Sequence, residues 1–156
     1  MTTFEKSMAV LSDLFGKDFT FVLSTVKENI PSARVVDTFY DGNVFWIVTY
    51  ANSNKVKEIE ANPHVALCNN FHVFKGKAYN AGHPLREENK AIREILIKEF
   101  APWYFAHNNE ADEHMCYVRI EPVSGVFHQN GTGYRVDFVH QTADEFPFMP
   151  EIQMGD

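Results

Sequence analysis

An α+β domain, mainly β and built on a small antiparallel barrel with peripheral helices, is the fold class this sequence predicts. Three observations carry it. Short runs rich in β-branched and aromatic residues recur along the chain, and tight turns such as Asp41-Gly42 join them, which implies antiparallel neighbours. Helical periodicity is confined to a few segments between those runs. The 156 residues, 45% hydrophobic and 14% aromatic, suit one domain with a single core.

Residues 2–15 predict a helix. Thr2 and Glu5 have capping-box spacing, Phe4, Met8, Leu11 and Phe15 form one apolar stripe, and Gly16 is a stop. Strands follow over 19–26 and 30–40, with Pro31 near the start of the second, where a missing donor is tolerated. Asp41-Gly42 is the strongest hairpin signal. The next strand, 43–50, leaves little polar face and reads as central. A short helix over 55–61, capped by Asn52 or Ser53, ends at Asn62-Pro63. Strands over 64–70 and 73–81 come next, and Gly76 marks a bulge or a close backbone approach. Residues 86–100 give the clearest helical face, stopped by Pro102. Trp103, Tyr104 and Phe105 then form an aromatic cluster in a loop, and 108–113 reads as a solvated acidic loop. A strand over 115–121, continued past Pro122 over 123–129, a turn at 130–133 and a strand over 134–139 close the domain. Residues 142–156 are a C-terminal tail without a clear period.

The formal net charge of −7, with lysines and arginines scattered, argues against a nucleic-acid partner. No window has the roughly 18 apolar residues of a membrane span, and no signal segment is visible, so a cytoplasmic protein is expected. Cys68 and Cys116 fall in predicted strands and read as small buried thiols in a reducing compartment. The seven histidines, His107 and His114 among them, lack metal-ligand spacing and read as surface or structural residues.

Arg34, Thr49, Ser53 and Lys55 stand out. Two come from strand ends and two from a helix N-terminus, where free N–H groups and the helix dipole favour an anion. Arg34 suits bidentate phosphate contact. These types predict a cofactor phosphate site. The competing reading is a capped surface helix with an exposed lysine, beside an arginine on a solvated strand.

The stretches R-V-V-D (34–37), D-G-N-V-F-W-I-V-T (41–49) and S-N-K-V-K-E-I-E-A-N-P-H-V-A-L (53–67) resemble the flavin-binding split barrels of the pyridoxamine 5′-phosphate oxidase-like superfamily. The resemblance runs from the first helix to about Ala81. It implies a six-stranded split barrel over 1–156 as one FMN-binding domain, and a homodimer with FMN at the subunit interface. It implies that Arg34 and Lys55 bind the FMN phosphate with Thr49 and Ser53 as hydroxyl donors. Asn54 stands in the same motif where the family often has arginine. Val35, Val36, Asp37, Ile47 and Val48 would lie along the ring. The aromatic-glycine and arginine-rich C-terminal signature of true pyridoxamine phosphate oxidases is missing. The implied function is a flavin-dependent oxidoreductase passing electrons between a reduced nicotinamide and a small-molecule acceptor. The alternative is a non-catalytic flavin-binding stress or redox-sensor protein. No residue stands out as a catalytic acid or base. The Trp103–Phe105 cluster is placed to cover a flavin edge from the partner subunit, or to serve as a core or interface patch.

Overall fold

The Thr2 hydroxyl accepts the Glu5 amide at 3.1 Å and donates to its carboxylate at 3.2 Å. That N-cap starts helix α1 (Thr3–Phe15) in the computed structural model, which describes residues 1–150. Leu11 and Phe15 on its apolar stripe are fully buried. Gly16 ends the helix with φ −76°, so it is not there for a left-handed backbone. A Cβ would stand 2.5 Å from the Ser12 carbonyl oxygen, and lack of space is the reason for glycine.

Six strands then close on themselves. They are β1 (Phe19–Lys27), β2 (Ile30–Asp41), β3 (Val44–Tyr50), β4 (His64–Asn69), β5 (His72–Gly82) and β6 (Met115–Gln129). All pair antiparallel, in the order β3-β2-β1-β4-β5-β6, and β6 returns to β3 along Phe45–Tyr50 to shut the barrel. Two further strands, β7 (Thr132–Asp137) and β8 (Thr142–Pro147), extend the sheet beyond β6. The predicted six-stranded barrel is therefore present, with extra strands.

Four hairpins among the described residues turn on residue pairs with positive φ: Glu28-Asn29, Gly42-Asn43, Asn70-Phe71 and Asn130-Gly131. Such two-residue turns match strand twist. The hairpin predicted at Asp41-Gly42 is one residue further on, because Asp41 still pairs with Val44 in the ladder. Gly76 lies at a register shift between β5 and β6, where a Cβ would fall 2.4 Å from the Glu121 carbonyl oxygen.

The barrel interior is filled by rings. Phe15 plugs one end against Phe21, Phe45, Phe74 and Phe127 at centroid distances of 5.3 to 6.2 Å. A second apolar cluster forms outside the barrel. Helices α3 (Lys90–Glu99) and α4 (Tyr104–His107), both in the β5–β6 connection, bring Ile92, Leu96, Phe100 and Tyr104 against Phe39, Met115 and Tyr117. Among the described residues no helix is long and apolar enough to cross a membrane.

Several expectations need correction. The helix predicted over 86–100 is a 3₁₀ turn (Glu87–Asn89) followed by α3. Asn89 causes the break: its buried amide donates to the carbonyls of Ala81 at 3.0 Å and His83 at 2.9 Å. The aromatic loop contains α4, whose Tyr104 is fully buried. The acidic loop is not simply solvated, since Glu110 binds Arg93 through two hydrogen bonds of 2.8 and 2.6 Å and accepts from the Tyr104 hydroxyl at 2.9 Å. Cys68 is exposed; only Cys116 is buried. The tail begins as β8, which among the described residues pairs with β7 alone. Residues 151–156 of the predicted tail lie outside the described residues.

Candidate functional site

Strands β2 and β3 part company soon after their hairpin. They pair at Asp41–Val44, Tyr40–Phe45 and Phe39–Trp46 and no further. From there β2 runs beside β1 alone, and β3 runs beside β6. The fork leaves backbone N–H and C=O groups on the facing edges of both strands outside any ladder. A cleft of about 170 Å³ occupies it, lined by Val35, Val36, Asp37, Ile47, Val48, Lys55 and Trp103. Val35 and Asp37 point outward, while Val36 and Ile47 turn into the core at 7% and 2% exposure. At those two positions strand alternation presents backbone to the cleft.

Helix α2 (Asn54–Ala61) stands at one end of this fork. Ser53 is its N-cap and accepts the Val56 amide at 3.4 Å. The amides of Asn54 and Lys55, at the first two helical positions, have no intrahelical acceptor. The Lys55 ammonium folds back and donates to the Thr49 hydroxyl at 2.8 Å. Burial, then the charge of Arg34, lowers the Lys55 pKa from its ordinary value. A cation held partly out of water beside another cation is favourable ground for an anion.

Arg34 is differently engaged. Its guanidinium donates to the Leu23 carbonyl at 3.2 Å, the Thr25 hydroxyl at 2.8 Å and the Glu58 carboxylate at 3.1 Å. The Thr25 hydroxyl in turn donates to Glu58 at 2.5 Å. That bond, and then the bond and charge of Arg34, hold the Glu58 carboxyl below its usual range against the opposing effect of burial. Arg34 thus ties β1, β2 and α2 together and remains close enough to act on Lys55. Sequence reasoning missed Glu58, although its place one turn after Lys55 and its sign were visible.

All ten predicted site residues lie in this region of β2, β3 and the α2 N-terminus. Val35, Val36, Asp37, Ile47, Val48 and Lys55 share one cleft. Thr49 and Ser53 adjoin Lys55, Asn54 opens α2, and Arg34 faces Glu58. A larger cavity of about 510 Å³ lies elsewhere, against the C-terminal half of α2, with Glu60, Asn80 and Arg86 among its lining residues. It is the bigger space but lacks the cation–hydroxyl cluster. Among the described residues no group of histidine, cysteine and carboxylate side chains could hold a metal ion.

Residues 9–126 match the family model for pyridoxamine 5′-phosphate oxidase. The chain belongs to the pyridoxamine 5′-phosphate oxidase-like superfamily. Comparison with curated proteins gives no match. Among solved structures the chain is similar to General Stress Protein 26 from Bacillus anthracis str. Sterne, with 19% identity over 95% of this chain and all of that one, and a TM-score of 0.58. It is also similar to a pyridoxamine 5′-phosphate oxidase-related, FMN-binding protein from Nostoc punctiforme, with 13% identity over 96% and 98% of the two chains and a TM-score of 0.56. A third is a FAD-binding protein from Mesorhizobium loti, with 14% identity over 76% and 89% and a TM-score of 0.56. At these identities the likeness is one of fold.

Proposed function

We propose that the cleft binds a flavin, with FMN as the cofactor, and that the protein is a flavin-dependent oxidoreductase. The single observation that carries this reading is the junction of a flat-walled fork with the Lys55–Thr49–Ser53 cluster at the α2 N-terminus. The cluster offers a cation, two hydroxyls and unpaired amides, which suits a terminal phosphate. The fork offers strand-edge backbone groups and apolar faces at Val35 and Val48, which suit a planar heterocycle with polar edges. Membership of the superfamily, and relatives that bind FMN or FAD, support the same choice. When bound, the flavin supplies the electron chemistry. The protein holds the phosphate at Lys55, orients the ring between β2 and β3 and restricts water there. A reduced nicotinamide is the proposed electron donor, and a small molecule the acceptor.

The same reading calls for a second subunit. A cleft of about 170 Å³ falls below the roughly 300 Å³ at which pockets enclose a ligand, so another wall is needed. Val35 stands 68% exposed at its rim. Val35 opposes Val22 on β1, Val22 opposes Cys68 on β4, and Cys68 opposes Val73 on β5. This exposed row of small apolar side chains runs across four strands from the cleft. A second copy of the chain seated on it completes the cleft and gives a homodimer. An exposed free thiol in that row also fits the reducing cytoplasm.

Titration of purified protein with FMN, followed by the visible spectrum and by flavin fluorescence, tests the proposal. Tight binding of FMN, weaker binding of phosphate-free riboflavin, and reduction of the bound ring by a reduced nicotinamide are expected. No change in either signal overturns flavin binding. Bound flavin that no nicotinamide reduces favours the non-catalytic carrier or sensor.

A further inference from the structure

Trp103 belongs to the chain whose cleft it lines, and it is clamped there. Its indole lies against the fully buried Phe100 ring, at 4.4 Å between centroids and 29° between planes. Its amide donates to the Phe100 carbonyl at 2.9 Å. Its indole N–H donates to the Asp18 carboxylate at 2.9 Å, across 85 residues of sequence. Asp18 stands between α1 and β1, so this bond fastens the β5–β6 connection to the start of β1. Asp37, on the facing wall, is held by the Thr20 hydroxyl at 3.2 Å. The indole therefore has one face covered, its polar edge satisfied, and its remaining surface turned to the fork.

We infer that Trp103 is the wall against which a planar ring system stacks in this cleft, supplied by the same subunit, and that Asp18 is the residue that positions it. The inference rests on the flavin reading of the cleft and deepens it by naming which side chain meets the ring. A fixed indole presents a large flat surface with little conformational entropy left to lose on binding. Its aromatic face favours an offset-stacked heterocycle, whereas Val35 and Val48 opposite provide only aliphatic contact. Desolvation and the neighbouring Asp37 push the Asp18 pKa up, while the indole N–H draws it down. The net direction is upward, led by burial, and the Trp103 bond opposes it.

The test uses lumiflavin, which has the ring and no phosphate, beside FMN, in the full-length protein. Trp103→Leu, Trp103→Phe, Asp18→Leu and Asp18→Asn are compared with wild type by binding titration and by the emission of the bound flavin itself. An electron-rich indole in contact with the ring quenches that emission, and a merely structural role does not. We expect dark flavin in wild type, emission restored several-fold in Trp103→Leu, and about tenfold weaker lumiflavin binding. Trp103→Phe keeps part of the affinity but not the quenching. Asp18→Leu behaves like a weaker Trp103→Leu, and Asp18→Asn, which retains an acceptor, stays near wild type. Unchanged affinity and unchanged darkness in both leucine variants overturn the inference while leaving flavin binding intact. Failure of wild type to bind FMN or lumiflavin overturns both.

Discussion

Arg34 and Glu58 meet at 3.1 Å, and the arginine of the expected phosphate site is thereby tied to a carboxylate of the helix next to it. Both side chains are largely covered, at 24% and 14% exposure, so the pair is only partly screened by solvent. Glu58 lowers the positive charge available to an anion. Glu58→Gln is expected to tighten FMN binding by up to about tenfold, with no change for lumiflavin. It should also weaken the fold, since Arg34 and Thr25 lose their charged partner. Parallel titrations and urea denaturation read both effects.

Lys55 should discriminate FMN from riboflavin. A charge-assisted hydrogen bond contributes about 1.5–3 kcal/mol, so Lys55→Met is expected to cost roughly 10- to 100-fold in FMN affinity and little for riboflavin. The pH dependence has a definite sign. Because burial and Arg34 depress its pKa, Lys55 gives up its proton below the ordinary lysine range as pH rises. FMN affinity should fall on the alkaline side before free lysine would titrate, and Lys55→Arg should move that fall upward. Titrations at a series of alkaline pH values check it.

Val22 lies at the middle of the exposed apolar row, facing Val35 on one side and Cys68 on the other. Val22→Glu places a charge where the second subunit is proposed to sit. Light scattering should then report a monomer in place of a dimer, with FMN bound more weakly. A monomeric wild-type protein would refute the second wall.

His72 sits in the core with its Nδ1 buried and, among the described residues, without a hydrogen-bond partner. Its ring stacks on His128 at 4.3 Å and meets the edges of Phe15 and Phe19. Burial first, then the charge of His128, lowers its pKa to about 4. The unfolded chain takes up this proton near pH 6.5 and the folded protein does not. The stabilisation is therefore complete above about 6.5 and declines as pH falls toward 4, by about 3 kcal/mol in all. His72→Phe should flatten this part of the pH profile in denaturant melts, because it removes the proton and the orphan nitrogen while keeping a ring among rings.

Tyr104 and Tyr117 share a hydrogen bond of 2.6 Å in the cluster outside the barrel, and Tyr104 also donates to Glu110. Burial first, then their mutual bond and the Glu110 charge, moves the Tyr104 pKa far up, so it stays a neutral donor. Tyr104→Phe leaves the Tyr117 hydroxyl buried without its partner and should cost about 1–3 kcal/mol. Chemical denaturation measures the loss.

The barrel was legible where local chemistry and long-range pairing agree. Thr2 and Glu5 announced α1, Asp41-Gly42 a hairpin that turns one residue later, and Ser53 the cap of α2, because each signal lies within four residues of its effect. Gly76 was readable as a close approach, though the Glu121 carbonyl it meets was not. Strand β8 escaped because Thr142–Pro147 has no apolar alternation and is ordered chiefly by its partner β7. The positions of the cleft residues followed from the family motif. Glu58 at Arg34, and Asp18 at Trp103, did not, because contacts between side chains 24 and 85 residues apart leave no local pattern.

The segment between β5 and β6 lies outside the barrel ladder yet furnishes Trp103 to the cleft. Arg93, Glu110 and Tyr104 brace it from within, and hydrogen bonds to Tyr117, to Asp18 from Trp103 and to Tyr50 from Asn109 tie it to the rest of the fold. Evolution, or an engineer, is therefore free to retailor the ring-facing surface by exchanging one excursion of the chain. The anion-gripping end, anchored in β3 and α2, would be inherited untouched.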